Sequence, residues 1–270
     1  MFCGPGWPVV KLNQLDEKPP HLCGGVVTSK EFEIVSEFEV DATPEQVWEA
    51  VTHGTGAYLW PMDPPEPRVG GAAAFGSTVT AWDPPHHLTV RSEDVGFGAQ
   101  SANQLEHVIE ARDGGRRAWV RYVHSGIFTD DWDNQYDGAA KHTDFYLHTL
   151  REYLTHFAPR PVTFASAEGP AASATSDALA EVGAALGLSA DDAQGARVTV
   201  RGPRGFDAVL DYRNPYFLGL RTDTALIRVF GRGRWGAPVG VSVHDFAPDA
   251  DAGATGKAWQ DWLNGVFSRS

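Results

Sequence analysis

Apolar and polar residues alternate along Phe32-Glu33-Ile34-Val35-Ser36-Glu37-Phe38-Glu39-Val40, the pattern of a strand buried on one face. A helix is expected directly after it. Thr43 is a natural N-cap, Pro44 suits the first helical position, and Glu45 favours the positive helix end. Val47, Trp48 and Val51 then share one helical face. Arg68-Val69-Gly70-Gly71 is expected to introduce a strand where backbone bends or approaches closely, and Asp83-Pro84-Pro85 a turn. Further strands are expected at 87–92, 103–112 and 117–125, the last two joined by a Gly114-Gly115 hairpin turn.

The longest pattern is helical. Tyr136, Ala140, Thr143, Leu147, Leu150, Leu154 and Phe157 recur at alternating spacings of four and three, which buries one side of a helix over its length. Such a helix spans roughly 33 Å, enough to cross a curved sheet. This part of the chain reads β-α-β-β-β-β-β-α. After Pro159-Arg160-Pro161 the order repeats: a strand at 162–167, a helix at 176–186, strands at 196–201, 206–212, 216–221, 224–231 and 238–246, and a helix at 255–267. Val243-His244-Asp245 echoes Val123-His124-Ser125 at the end of the last strand in each half.

Four phrases in fixed order carry a family resemblance. They are Ala42-Thr43-Pro44-Glu45-Gln46-Val47-Trp48-Glu49-Ala50-Val51, Pro67-Arg68-Val69-Gly70-Gly71, Trp82-Asp83-Pro84-Pro85, and Val123-His124-Ser125-Gly126 with the long helical pattern behind it. Together they resemble the START-like helix-grip (SRPBCC) superfamily, and within it the proteins similar to the activator of Hsp90 ATPase. The resemblance covers residues 30–158. It implies an α+β helix-grip fold, a curved antiparallel sheet wrapped around a long C-terminal helix with a cavity between them. Similar proteins usually carry tryptophan where this chain has Thr143. Trp259-Gln260-Asp261-Trp262-Leu263 resembles the superfamily's closing-helix phrase more closely than the first half does. The expected organisation is a loosely ordered arm over 1–29, a helix-grip domain over 30–158, and a second, diverged copy over 159–270. An unrelated α+β extension is the alternative for the last segment.

Composition narrows the function classes. A chain of 270 residues accommodates two domains with real cores. A net charge of −13 argues against nucleic-acid partners and against an anionic membrane surface. No run approaches the apolar length of a spanning helix, and Met1-Phe2-Cys3-Gly4-Pro5-Gly6 lacks a signal-peptide pattern, so a cytoplasmic location is expected. Cys3 and Cys23 both precede the first strand, which gives no basis for a disulfide framework or a structural metal site.

Alternation also predicts what faces the cavity. Leu105, His107, Ile109 and Ala111 lie on one face of one strand, and Ala118, Val120, Tyr122 and His124 on the matching face of the next. His107, Tyr122 and His124 are therefore the polar candidates, able to orient a ligand or to move a proton. The plainer reading makes both histidines satisfied core residues. Trp48, Tyr58, Leu59, Trp60, Met62, Phe75, Trp82 and Phe97 gather around the first helix and early strands, and Gly54, Gly56, Gly96 and Gly98 suit loops at a cavity mouth. The candidate ligand-binding set is Trp48, Tyr58, Trp60, Phe75, Leu105, His107, Ile109, Val120, Tyr122, His124, Thr143 and Leu147.

Several motifs carry nothing. Gly231-Arg232-Gly233-Arg234-Trp235-Gly236 matches a dinucleotide fingerprint by letter, but no helix follows it. Asp130, Asp131, Asp133 and Asp137 lack the glycine and glutamate of a calcium loop and suit the start of a helix. His86-His87 reads as exposed loop, and His142, His148 and His156 lack the spacing of a helical metal pair. No cofactor is implied. The preferred function is binding of a small hydrophobic or aromatic molecule, and a homodimer is compatible with it. The alternative is a cofactor-free enzyme of the polyketide cyclase or aromatase type using the inward His and Tyr side chains, and an Hsp90-type chaperone cofactor stands third.

Overall fold

A computed structural model describes residues 29–93 and 100–268. The arm expected over 1–29, Ser29 apart, lies outside the described residues, as do Gly96, Phe97 and Gly98. The described chain is α+β with the helix-grip arrangement in two copies. It divides into two compact units, one running through His53 and resuming over Met62–Asp144, the other comprising Gly54–Pro61 and the chain from Phe145.

In the first unit β1 (Lys30–Val40) leads into α1 (Pro44–Thr52). The entry is a capping box: Thr43 Oγ1 accepts from the Gln46 N–H at 3.3 Å, and Gln46 Oε1 accepts from the Thr43 N–H at 2.8 Å. β2 (Thr78–Asp83), β3 (His87–Glu93), β4 (Gln100–Arg112) and β5 (Arg117–Phe128) follow, and then α2 (Trp132–His156). The antiparallel sheet has the order β1-β5-β4-β3-β2, so the last strand returns beside the first.

Among the described residues this unit has five strands, one fewer than its sequence predicts. Residues 67–71 form a turn in which the Gly71 N–H bonds the Arg68 carbonyl at 3.0 Å, and its glycines lie against β2: the Gly70 N–H bonds the Val79 carbonyl and the Val79 N–H bonds the Gly71 carbonyl, both at 2.8 Å, with Ala72 bridging to Thr78. Gly70 has φ +79°, and a side chain at Gly71 would collide with Glu66 and the Arg68 carbonyl. The paired glycines therefore turn the chain and bring its backbone against the edge of β2, short of a full strand. His87 belongs to the strand expected at 87–92 and not to the loop read for His86-His87: it opens β3, with Nε2 2.8 Å from Glu106 Oε1.

The second unit holds β6 (Thr163–Glu168), α3 (Ala178–Ala185), β7 (Arg197–Val200), β8 (Phe206–Arg213), β9 (Phe217–Arg221), β10 (Ala225–Phe230), β11 (Gly240–Asp245) and α4 (Ala252–Phe267). Its sheet order, β6-β11-β10-β9-β8-β7, repeats the scheme of the first. The echo between the two last strands is structural as well. His124 pairs with Ile34 of the first strand and stands edge-on to Phe32, with ring centroids 5.0 Å apart. His244 pairs with Phe164 and stands edge-on to that ring at 5.3 Å.

The division between the units falls inside α2, between Asp144 and Phe145, and not at the expected 158/159. The reason is a second buried set on the helix. Besides the predicted Leu147, Leu150 and Leu154, the side chains of Phe145, Thr149 and Tyr153 are buried. Phe145 stacks on Phe217 with centroids 4.8 Å apart, and Tyr153 stacks on Phe246 at 5.6 Å. One face of the second sheet thus meets this half of α2. The opposite face packs Leu210, Leu220, Ile227, Val229 and Val241 against Val182 and Leu186 and against Trp259 and Leu263 of α4. With both faces covered, every residue of β10 is buried.

Candidate functional site

Strand register fixes what the first unit presents on the inner face of its sheet. Trp82, Leu88, His107, Tyr122 and Ser36 lie in one row across the five strands, and Val90, Leu105, His124 and Ile34 in the next. α1 covers one side of this face, where Trp48 meets Trp82 edge-on at 4.9 Å. The first half of α2 covers another corner, packing Ala139 with Phe32, Ile34 and Phe128. Ile109, Val120 and Ala118 are sealed beneath these contacts. Val90 and Leu105, side by side in register, are not: both remain partly exposed, as do Trp82 and Ser36 at the two ends of the neighbouring row.

The two inward histidines differ. His124 is 1% exposed, and its Nε2 lies 2.7 Å from Asn103 Oδ1 on the adjacent strand. Burial pulls its pKa down to about 3. His107 is 8% exposed and stands edge-on to Tyr122 at 4.9 Å, yet its Nδ1 has no hydrogen-bond partner. Burial lowers its pKa to about 4. At neutral pH both imidazoles are uncharged, each offering one donor and one acceptor. Thr143, on α2, is buried in the same unit.

Not every predicted ligand contact belongs to this face. Phe75 is 47% exposed, in a turn at φ +58° ahead of β2, so it lines no enclosed site. Tyr58, Trp60 and Leu147 are buried but fall in the second unit. Burial raises the Tyr58 phenol, and the Trp60 ring meets Tyr146 edge-on at 5.8 Å. Leu105, His107, Ile109, Val120, Tyr122 and His124 share this face of the first unit, Trp48 packs at its edge on Trp82, and Thr143 lies in the same unit.

The second unit contains polar chemistry that reading the sequence missed. Arg228, 1% exposed in the middle of β10, donates from Nε to Thr149 Oγ1 at 2.9 Å and from Nη1 to Asp211 Oδ1 and Oδ2 at 2.9 and 3.0 Å. Its Nη2 has no partner. His148 Nε2 approaches Asp211 Oδ1 at 3.5 Å without closing a hydrogen bond. Burial alone would raise the Asp211 carboxyl, but the Arg228 guanidinium and His148 together hold it below the usual range. Beside them His244 donates from Nδ1 to the Gly56 carbonyl at 2.8 Å, and burial takes its pKa down to about 3. The signal for this cluster was a charge inside an apolar strand: Arg228 in Ala225-Leu226-Ile227-Arg228-Val229-Phe230, and Asp211 in Val209-Leu210-Asp211-Tyr212.

No protein-family model matches this chain, and no curated protein matches it. Among solved structures it is similar to DynU16, a putative protein in the dynemicin biosynthetic locus, at 16% identity over 87% of this chain and 96% of that one, with a TM-score of 0.37. It is also similar to CalU16 from Micromonospora echinospora (14% identity, 49% of this chain and 87% of that one, TM-score 0.36). The Aha1 dimer from Colwellia psychrerythraea matches at 19% identity over 46% of this chain and 96% of that one, with a TM-score of 0.35. The helix-grip assignment rests on this chain's own strand order and helix placement.

Proposed function

We propose that the first unit binds a small, largely apolar molecule, hydrophobic or aromatic, on the inner face of its sheet, with His107 and Tyr122 supplying the polar contact. One observation carries this reading. In one patch of that face the apolar pair Val90 and Leu105 stays partly exposed, and the buried imidazole of His107 in the next row keeps an unpartnered Nδ1. An apolar floor with one or two placed polar groups is the usual composition of a small-molecule site. A buried polar atom without a partner is costly in a ligand-free core, and a guest hydroxyl or carbonyl relieves that cost.

The acid–base reading has less support. A general base works best with a pKa near the working pH, and burial moves His107 well below it, to about 4. Binding and orienting a guest needs no such titration. The chaperone-cofactor reading rests on resemblance alone.

Native mass spectrometry of the purified protein against a denatured control, with extraction of whatever is bound, tests the proposal. A small aromatic or aliphatic molecule held at near-stoichiometric level is the expected result. A protein that purifies empty and takes up nothing from a panel of apolar aromatic compounds overturns it.

A further inference from the structure

The second sheet ends on β7, and one side of that edge strand keeps unpaired backbone groups. In an antiparallel ladder successive residues turn their N–H and C=O groups to opposite sides. The Ala196 carbonyl accepts from the Leu210 N–H at 2.9 Å, on the β8 side, while the Arg201 N–H reaches the Leu186 carbonyl at 2.8 Å, on the other. By the same alternation Val198 and Val200 bond β8, and Arg197 and Thr199 point their backbone groups outward. These outward groups have no backbone partner among the described residues, and both residues are exposed.

The side chains along this edge are self-complementary. Arg197 and Thr199 share the face that carries Asp207, whose Oδ1 accepts from Thr199 Oγ1 at 2.8 Å. All three line an open groove of about 510 Å³. Neither Arg197 nor Asp207 has an ion-pair partner among the described residues. On the opposite face Val198 is only partly buried against the core. The other sheet edges differ. The Gly70–Ala72 turn bonds along β2, and Gln260 bonds the Glu168 N–H and carbonyl at the end of β6. β1 presents Glu31, Glu33, Glu37 and Glu39, which oppose their own counterparts in any self-pairing.

We propose that β7 is a dimer interface: it pairs antiparallel with β7 of a second copy of this chain across a two-fold axis, joining the two six-stranded sheets. Backbone chemistry selects the register. With Arg197 opposite the partner's Thr199, the axis passes between the two Val198 residues, and every outward N–H and C=O of Arg197 and Thr199 is used. Moving the axis to Thr199 leaves half of those bonds and sets Arg197 against the partner's Arg201, a like charge whose N–H already serves Leu186. In the favoured register the partner's Asp207 lies two strand spacings from Arg197, roughly 10 Å between Cα atoms, within reach of an extended arginine and a carboxylate. Symmetry makes that contact twice, and the exposed part of Val198 packs on its counterpart.

Sedimentation equilibrium of the full chain over a concentration series tests this. Wild type is expected to show a reversible monomer–dimer equilibrium that weakens as salt is raised. Arg197→Asp and Asp207→Arg, both at exposed positions, should each raise the dissociation constant about a hundredfold, because each sets like charges together. Mixing the two single variants should restore association as a heterodimer, since each then supplies the charge the other lacks. Thr199→Pro, which removes an outward N–H and no bond to β8, should also give monomers with an unchanged thermal midpoint. If that variant fails to fold, the charge exchange still decides. A wild type that stays monomeric overturns the proposal, and so does one whose edge is taken by a co-purifying extended peptide. A dimer that persists in both single variants, or single variants whose mixture stays monomeric, overturns it too, because the contact then lies elsewhere.

Discussion

His107 and Tyr122 face each other across the β4–β5 ladder with ring centroids 4.9 Å apart, yet the imidazole Nδ1 bonds to nothing. Seventeen residues further on, His124 sits on the same face with Nε2 on Asn103. The hydrogen bond to Asn103 ties His124 to the neighbouring strand, so its substitution should cost more than that of His107.

His107→Leu removes a buried polar atom that no partner satisfies, so it should stabilise the first unit, by about 1 kcal/mol. Combined with Tyr122→Phe it should leave folding intact and weaken ligand binding about tenfold. His124→Leu removes a made hydrogen bond and should destabilise by about 1 kcal/mol. Urea denaturation of the variants, followed by titration with the extracted ligand, checks both. If His107→Leu costs as much stability as His124→Leu, His107 is a structural residue and the ligand site loses its polar anchor.

Stability should fall on mild acidification. Burial lowers His107 to about 4 and both His124 and His244 to about 3, so all three are neutral in the fold. The unfolded chain takes up protons at these histidines below about pH 6.5. Stability is therefore full above about pH 6.5 and declines as pH drops from there towards 4. At pH 5 each histidine accounts for roughly 2 kcal/mol of the loss. Asp211 acts lower: its folded pKa is depressed, so its contribution persists above the ordinary carboxylate range and fades only beneath it. Urea midpoints at pH 7, 6 and 5 measure the effect, and His107→Leu should flatten the slope. Midpoints that do not change between pH 7 and 5 refute it.

Apart from the strand expected after Arg68, the strands, the Thr43 cap, the inward face of β4 and β5 and the repeated sheet scheme are legible in the sequence, because each is set locally by period, capping or turn chemistry. What escapes a local reading is burial on two sides. The stripe through Leu147, Leu150 and Leu154 is plain, but Phe145, Thr149, Tyr153 and Phe157 form a second one at spacing four, and the two share the same turns. β10 gives no alternation because neither face is wet, which hides the meaning of Arg228. Asp211 follows the irregular register between Leu210 and Tyr212, where period two stops predicting orientation. Phe75 shows the reverse error: a large aromatic side chain, expected to line the cavity, lies at the surface in a turn ahead of β2 where its own φ is +58°.

Thr43 offers a check on the entry to α1 that is independent of any ligand. Its side chain and Gln46 satisfy each other's backbone N–H groups, so Thr43→Ala should cost about 1 kcal/mol. Thr43→Asn should restore most of that loss, since asparagine caps as well. Equal midpoints for wild type and Thr43→Ala would mean that packing of Val47, Trp48 and Val51 holds the helix without its cap.

Gly219 tests how rigidly the second sheet depends on its buried ion pair. A methyl group there would meet Asp211 Oδ1 and Arg228 Nη1, and the Tyr212 Cβ lies at 2.8 Å on another side, so the side chains cannot simply swing away. Gly219→Ala should therefore break the Asp211–Arg228 contact and leave both charges buried, costing about 3–5 kcal/mol. Thr149→Val is the milder companion. It keeps the shape but removes the acceptor of Arg228 Nε, and should cost about 2 kcal/mol. Amide hydrogen exchange separates the effects by unit. Protection should drop across β8, β9 and β10 in Gly219→Ala while β4 and β5 keep theirs. If β4 and β5 lose protection to the same degree, the two units unfold as one, and the energetics of the buried pair cannot be assigned to the second sheet alone.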